Sequence, residues 1–294
     1  MHLSTAHLIH RVFFTCIAAI ALAVPARAAP LKPYKDALFS YGTVLETADG
    51  GDYRVVDYQE MRDINGRDQD PERRAKRAYV SLSVKSAQAN ETLAVGSRPL
   101  DVTRAGSASG AAFTVIFIHG RGGDRRLGAN DWSFGGNFNR LKNLAVDNGG
   151  VYYAPSVRSF DDAGVADIAG LIAYARQQSP GRPVVLACAS MGSFICWGIT
   201  RDRQAVASLK GMMIMGGPAD PAFMKSAAYK RKLPVFFSHG SADSVYPSAD
   251  QIALYRSLKA AKYPSRMVLF QTGSHGTPVR MTDWRDALNW IGLD

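Results

Sequence analysis

The feature that most constrains the fold is an alternation of two sequence patterns that begins near residue 113. Short apolar runs such as FTVIFIHG (113–120) are typical of strands buried on both faces of a parallel sheet. Between such runs lie segments with apolar residues at helical spacing, as in DDAGVADIAGLIAYARQQ (161–178). This alternation predicts an α/β fold in which a mostly parallel, doubly wound sheet carries helices on both faces.

The same two patterns continue to the end of the chain. Further strands are predicted over 149–157, 182–189, 209–217, 232–240 and 265–273, and further helices over 190–202, 248–262 and 278–292.

The segment before this region is β-rich. Residues 42–58 contain two β-type runs around the turn-forming sequence ADGG, which predicts a hairpin, and residues 78–85 alternate like a half-exposed strand. Because no linker or internal repeat divides the chain, we predict one domain over 29–294. Residues 29–111 are its β-rich N-terminal extension, and residues 112–294 are its core.

The first 28 residues have the pattern of a secretory signal peptide. Arg11 precedes an apolar stretch over 12–24, and residues 26–28 (ARA) form an A-x-A cleavage site. The stretch is too short to span a bilayer comfortably, which favours cleavage after Ala28 over a retained anchor. We therefore expect an exported protein, either periplasmic or secreted.

The chain is basic, with a formal net charge of +10. The charge becomes +8 once residues 1–28 are removed, because they hold two arginines and no acidic residue. Such a charge fits contact with an anionic membrane surface, cell-wall polymers or acidic substrates, but we favour the simpler interpretation that it serves solubility. The densest basic run, PERRAKRAY (71–79), contains Glu72 and no interleaved aromatic residues, so we expect no nucleic-acid partner.

Polar residues follow several predicted strands directly. They are the GRGG segment (120–123), Ser190, Asp220, Asp243 and His275. In open α/β sheets, ligands bind beyond the carboxyl ends of the strands. We therefore expect these residues to converge at one edge of the sheet, where they form the candidate site.

Three histidines follow the predicted signal peptide, namely His119, His239 and His275. His119 and His239 each precede a glycine, where a ring packs or orders a loop, whereas His275 lies in a loop from which it can project. His275 is therefore the best general base for a serine. A base of this kind needs an acid to orient it, and Asp243 is favoured over its rival Asp220.

Ser190 lies in CASMGS (188–193), between a predicted strand and a predicted helix. A serine in such a turn is typical of a nucleophile. The chain order Ser190, Asp243, His275 is that of enzymes with a nucleophile elbow.

From about residue 112 onward the chain resembles the α/β-hydrolase superfamily, in particular its small cap-less carboxylesterases and dienelactone-hydrolase-like members. FIHGRGG, CASMGS, HGSADSVYP and GSHG match four motifs of that family in the correct order. The resemblance implies an acyl-enzyme mechanism in which Ser190 attacks a carbonyl, His275 moves the proton and Asp243 orients His275. It also implies an oxyanion hole made by the backbone N–H groups of Met191 and Arg121.

Cys188 stands where the family usually has the first glycine of the elbow. We interpret it as tolerated packing rather than as a catalytic thiol. An oxidising compartment permits a disulfide with Cys196. The predicted strand and helix nevertheless place the two Cα atoms beyond the bridging distance of about 7 Å, so two buried thiols are predicted.

Two features bear on the substrate. Trp132, Phe134 and Phe138 lie in a Gly- and Asn-rich segment (124–140), where they either line an acyl or aryl pocket or anchor the loop. The segment 215–232 is too short for a large helical cap, which predicts an open cleft that fits small-molecule or lipid-like esters.

The sequence also fits two alternatives to a simple carboxylesterase. The basic charge also fits a lipid- or aminoacyl-ester hydrolase at a membrane surface, and a non-catalytic envelope binding protein could use the same scaffold. We expect no metal, because the histidine spacing matches no zinc motif. We expect no nicotinamide or other cofactor, because no G-x-G-x-x-G follows an early strand.

Overall fold

The computed structural model describes residues 30–96 and 98–293, so the predicted signal peptide (1–28) lies outside the described residues. The strands are β1 (Val44–Ala48), β2 (Tyr53–Val56), β3 (Asp68–Gln69), β4 (Arg74–Ala75), β5 (Gln88–Val95), β6 (Arg98–Ala105), β7 (Thr114–Ile118), β8 (Val151–Pro155), β9 (Val184–Ala189), β10 (Leu209–Met215), β11 (Val235–Gly240) and β12 (Ser265–Phe270).

The α-helices lie between and around these strands. They are α1 (Asp36–Phe39), α2 (Glu60–Arg67), α3 (Arg125–Ala129), α4 (Asn137–Asp147), α5 (Asp162–Gln178), α6 (Gly192–Ile199), α7 (Arg203–Ser208), α8 (Ala227–Lys230), α9 (Ser248–Ala260), α10 (Thr277–Met281) and α11 (Trp284–Ile291). Within the described ranges, no helix combines the length and the apolar character needed to cross a bilayer.

A single large sheet organises the molecule. In the described part of the chain it has 10 strands in the order β1-β2-β12-β11-β10-β9-β7-β8-β6-β5. Neighbouring strands run parallel from β2 to β8, whereas β1 at one edge and β6 and β5 at the other are antiparallel. The predicted α/β class with a mostly parallel sheet is confirmed, and the β-rich N-terminal residues contribute strands to both edges.

The central strands are buried on both faces, as their apolar sequences require. In β7, Ile116 and Ile118 pack on one face with α5, α6 and α9, while Val115 and Phe117 pack on the other face with α4 and α11. Helices therefore cover both faces, and the carboxyl ends of the parallel strands remain available for the site.

A buried ion cluster connects the N-terminal segment to α4 and α11. The guanidinium of Arg140 on α4 is fully buried and contacts the carboxylates of Asp36 and Asp283 at 3.0 and 2.9 Å. Because an unpaired buried charge is costly, this cluster requires α1, α4 and the start of α11 to stay together.

Two local predictions were wrong. Residues 78–85 form no strand, because the side-chain amide of Asn139 on α4 takes both backbone bonds that a partner strand would make at Ser81 (2.9 and 2.7 Å). The predicted helix 278–292 is two helices, since Asp283 caps a new one by accepting hydrogen bonds from the N–H groups of residues 285 and 286.

Candidate active site

Ser190 lies in a sharp turn between β9 and α6. Its φ of 52° is in the left-handed region that non-glycine residues rarely adopt. A Cβ on Gly120 would lie 2.7 Å from the Ser190 Cβ, and one on Gly192 would lie 2.6 Å from the carbonyl oxygen of His119. Only glycine fits at these two positions, and the close approach holds the serine in the geometry of a nucleophile elbow.

The structure brings Ser190, His275 and Asp243 into one hydrogen-bonded line. His275 Nε2 is 2.9 Å from Ser190 Oγ, and His275 Nδ1 is 2.8 Å from Asp243 Oδ2. The carboxylate accepts a hydrogen bond from the Nδ1–H group, which leaves Nε2 as an acceptor for the serine hydroxyl. The arrangement can therefore take the proton from Ser190 as its oxygen attacks an electrophile.

Backbone hydrogen bonds hold the Asp243 carboxylate in place. The other oxygen of Asp243, Oδ1, accepts hydrogen bonds from the N–H groups of Val245 and Tyr246 at 2.8 and 3.1 Å. The rival carboxylate of Asp220 instead binds the Arg201 guanidinium at 2.7 Å and caps the following turn. Of the two candidate acids, only Asp243 is placed against His275.

The two amides predicted for an oxyanion hole flank the serine. Met191 directly follows Ser190, and Arg121 directly follows the glycine packed against it. Both residues line the same cavity as Ser190 and His275. Neither backbone N–H donates a hydrogen bond to another described residue. Both donors are thus free for an oxygen atom bound beside Ser190.

His119 orders the loop that carries Arg121. Its Nε2 accepts a hydrogen bond from the N–H of Val157 at 3.0 Å, and its Nδ1 donates to the carbonyl oxygen of Gly120 at 2.7 Å. One nitrogen accepts and the other donates, which is the pattern of a neutral imidazole. Burial lowers the pKa of His119 below its usual value, which agrees with that pattern.

A cavity of about 430 Å³ opens beside Ser190. Its apolar wall is formed mainly by side chains from strand ends and helices, and its rim is formed by loop residues. The wall comprises Phe117, Leu127, Phe134, Met215 and Val279, and the rim comprises Arg121, Val245 and Tyr246.

Of the three aromatic residues predicted for this pocket, only Phe134 lines it. Phe138 is fully buried and packs edge-on against Phe134 and Phe117, so it supports the wall from behind. Trp132 stacks beneath the guanidinium of Arg74 at 3.9 Å and anchors the loop. Neither Phe138 nor Trp132 lines the cavity, and Trp132 follows the alternative in which the aromatic residue anchors the loop.

Four of the wall residues had no sequence signal of their own. Phe117 and Met215 belong to apolar strand runs, and Val279 belongs to a helix that also packs on the core. Leu127 belongs to the short helix α3. Only their position near the carboxyl ends of neighbouring strands could have suggested them.

Cys188 and Cys196 form a disulfide, and the prediction of two buried thiols was wrong. The prediction assumed a helix that leads away from its strand. The left-handed turn at Ser190 instead folds α6 back over β9, which brings the two Cα atoms to 6.2 Å. The side chain in place of the usual elbow glycine is thus a covalent tie between the strand and the helix that flank the serine.

Removal of this tie is expected to destabilise the protein. We expect the double variant Cys188→Ala/Cys196→Ala to lose about 2–3 kcal/mol of unfolding free energy, as estimated for a short closed loop. Urea unfolding with and without reductant measures the effect. Reductant should lower the midpoint of the wild type and leave the variant unchanged, whereas an unchanged wild type would contradict the disulfide.

Comparison with known proteins defines the class. A family profile described as "Alpha/beta hydrolase family" matches residues 115–293, so the chain belongs to the alpha/beta hydrolase family. No curated protein sequence matches the chain.

Solved structures share the fold at low sequence identity. A putative alpha/beta hydrolase of unknown function from Agrobacterium tumefaciens is 18% identical, with a TM-score of 0.56 over 68% of this chain and 95% of its own. A thermostable esterase is 14% identical, with a TM-score of 0.53 over 71% of this chain and 63% of its own. A fluorophosphonate-binding serine hydrolase from Staphylococcus aureus, FphF, is 12% identical, with a TM-score of 0.53 over 70% and 97%.

Proposed function

We propose that the protein is a serine hydrolase that cleaves carboxylic esters through an acyl-enzyme intermediate. The observation that carries this proposal is the continuous line from Ser190 through His275 to Asp243, which ends at an apolar cavity. Esterases and serine hydrolases among proteins of the same fold support it.

The first half of the reaction forms the acyl-enzyme. Ser190 Oγ attacks the ester carbonyl carbon while its proton passes to His275 Nε2. The N–H groups of Met191 and Arg121 donate to the oxyanion, and each such donor is worth about 2.7–4 kcal/mol of barrier. The tetrahedral intermediate then breaks the bond to the alkoxy oxygen, which takes the proton from His275 and leaves as an alcohol.

The second half of the reaction releases the carboxylic acid product. A water molecule gives its proton to His275 Nε2 as its oxygen attacks the acyl carbon. The ester bond to Ser190 then breaks, and the proton returns to Ser190 Oγ. Asp243 stays a carboxylate throughout and stabilises the imidazolium that forms in each half.

The cavity beside Ser190 is suited to bind the acyl or aryl group of the ester. Its wall is apolar, and burial of a methylene in such a site is worth about 0.8 kcal/mol. Between β10 and β11 the described chain holds only a short 3₁₀ turn and the four-residue α8. The mouth therefore stays open to bulky alcohols.

The chain-length dependence of ester hydrolysis tests this assignment. We expect p-nitrophenyl acetate, butyrate and laurate to be hydrolysed, and Leu127→Trp to lower kcat/KM for the longest ester by about 10-fold or more. The acetate should be little affected, because its methyl group does not reach the cavity wall. As a matched control, Met224→Trp adds the same ring at an exposed position outside the cavity. Equal losses on all three esters would contradict the acyl cavity.

We also propose that the protein is exported and acts near anionic membrane surfaces. The predicted signal peptide and the Cys188–Cys196 disulfide support export, because disulfides persist in oxidising compartments. The net charge of +8 that remains without residues 1–28 and the apolar Val245, 55% exposed at the rim of the cavity, favour an ester presented at a membrane. Stimulation of ester hydrolysis by anionic vesicles, but not by neutral ones, would distinguish hydrolysis at a membrane surface from hydrolysis of soluble esters.

A further inference from the structure

A second histidine contacts the acid of the site. His239 lies near the end of β11, and its side chain is fully buried. Its Nε2 is 3.2 Å from Asp243 Oδ2 and 2.9 Å from the carbonyl oxygen of Tyr246. Its Nδ1 is 2.9 Å from Oε1 of Gln251 on α9. The mechanism above makes no use of this residue.

The orientation of the Gln251 amide follows from its other contact. Gln251 Nε2 lies 2.6 Å from the carbonyl oxygen of Gly217, which can only accept a hydrogen bond. The amide nitrogen must therefore face Gly217, and the amide oxygen must face His239. A reversed amide would set two acceptor oxygens against each other.

Both ring nitrogens of His239 consequently face acceptors alone. A neutral imidazole has a single N–H and would point a lone pair at an oxygen on its other side. The doubly protonated ring donates at both nitrogens, and the Asp243 carboxylate balances its charge. His119 provides the contrast, because one of its nitrogens faces a backbone N–H donor.

We propose that His239 is a positioning residue for the reaction, a buried imidazolium that holds Asp243 in place; this inference rests on the proposed esterase function. Asp243 Oδ1 accepts from two backbone N–H groups, and Oδ2 accepts from His275. His239 Nε2 lies 3.2 Å from the same Oδ2 while it donates to the carbonyl oxygen of Tyr246. Three hydrogen-bond donors and the adjacent imidazolium therefore hold the carboxylate against His275.

The network also connects the acid to the elbow. Gln251 links His239 to Gly217, where a Cβ would lie 3.0 Å from the Ser190 carbonyl oxygen. The acid and the nucleophile come from different strands. They are joined by a buried chain of contacts: the ion pair of His239 with Asp243, the hydrogen bonds of Gln251, and the packing of Gly217 against Ser190. Such a chain limits small displacements that are costly for catalysis.

The charge on His239 has a consequence for pH dependence. The titratable groups around it are Asp243 and, across that carboxylate, His275 and the Tyr246 phenol, while α9 contributes the uncharged Gln251. The imidazolium offsets part of the negative charge that Asp243 presents to His275. Without it, His275 should keep its proton to higher pH, and a protonated His275 cannot act as the base.

The test variant is His239→Gln, which removes the positive charge and keeps a polar side chain. We expect kcat for a p-nitrophenyl ester to fall about 10–100-fold with KM little changed, since His239 does not line the cavity. The acid limb of the kcat/KM profile should move to higher pH. An unmoved acid limb, or a loss confined to KM, would overturn the proposal.

A measurement on protein that retains His239 covers the case in which His239→Gln does not fold. In ¹⁵N-histidine-labelled Ser190→Ala protein, we expect NMR to show two protonated ring nitrogens for His239 at neutral pH and one for His119. A single protonated nitrogen at His239 would overturn the proposal whether or not the wild type cleaves esters. Absence of ester hydrolysis by the wild type would instead count against the proposed function.

Discussion

Ser190→Ala should lower kcat for p-nitrophenyl butyrate by about 10⁴-fold or more, while the fold is retained. The substitution removes the only hydroxyl that His275 contacts among the described residues, so no acyl-enzyme can form. It also removes no packing, because alanine keeps the Cβ that lies against Gly120. Initial rates of p-nitrophenolate release, with circular dichroism as the check on folding, measure the effect.

The matched control for this prediction is Ser257→Ala. Ser257 is an exposed serine on α9 whose hydroxyl bonds only to the backbone of its own helix. We expect its loss to change kcat by about 2-fold at most. Retention of a tenth or more of the wild-type rate by Ser190→Ala would contradict the role proposed for this serine.

Asp243→Asn should lower kcat by roughly 10³–10⁴-fold. In the wild type, a carboxylate oxygen accepts the hydrogen bond from His275 Nδ1–H. In one orientation of the asparagine amide, an NH₂ donor takes the place of this oxygen and stabilises the wrong tautomer of the His275 ring. In the other orientation, the amide donors displace the backbone N–H groups of Val245 and Tyr246. Steady-state kinetics on a short p-nitrophenyl ester provide the measurement.

Asp220→Asn is the control that separates the two candidate acids. Asp220 and Asp243 are both 8% exposed, and each caps the turn that follows it, so loss of charge in a buried loop is common to both variants. Because Asp220 binds Arg201 rather than His275, we expect Asp220→Asn to stay within a few-fold of wild type. Comparable losses in the two variants would show that the effect is structural.

The sequence predicted most of the fold because the signal is repeated along the chain. Each central strand is a continuous apolar run, and α5, α6, α9 and α11 lie within segments that the sequence predicts as helices, so the parallel sheet follows from local patterns. The expectation that Ser190, Asp243 and His275 converge used one further rule, that the carboxyl ends of parallel strands share an edge.

Features that depend on the exact path of the chain were not predicted correctly. The Cys188–Cys196 disulfide requires the left-handed φ of Ser190, which no propensity for serine indicates. Placement of Phe138 in the core rather than in the cavity depends on which side of α4 faces the sheet.

The buried network around Asp243 was also beyond the sequence patterns. Gln251 lies on a helix where nothing distinguishes it from a solvent-exposed glutamine, yet packing buries it completely against His239. The strand predicted over 78–85 is absent for a related reason. A side-chain amide on α4 makes the backbone hydrogen bonds that a partner strand would have made.

Reaction with a fluorophosphonate probe, followed by intact-mass and peptide mass spectrometry, tests the central claim most directly. Such probes phosphonylate a serine only when a neighbouring base and oxyanion donors activate it. We expect one adduct per molecule, located on the peptide that contains Ser190 and absent from Ser190→Ala. No adduct on the folded wild type, or an adduct on another residue, would contradict the assignment of Ser190, His275 and Asp243 as a catalytic triad.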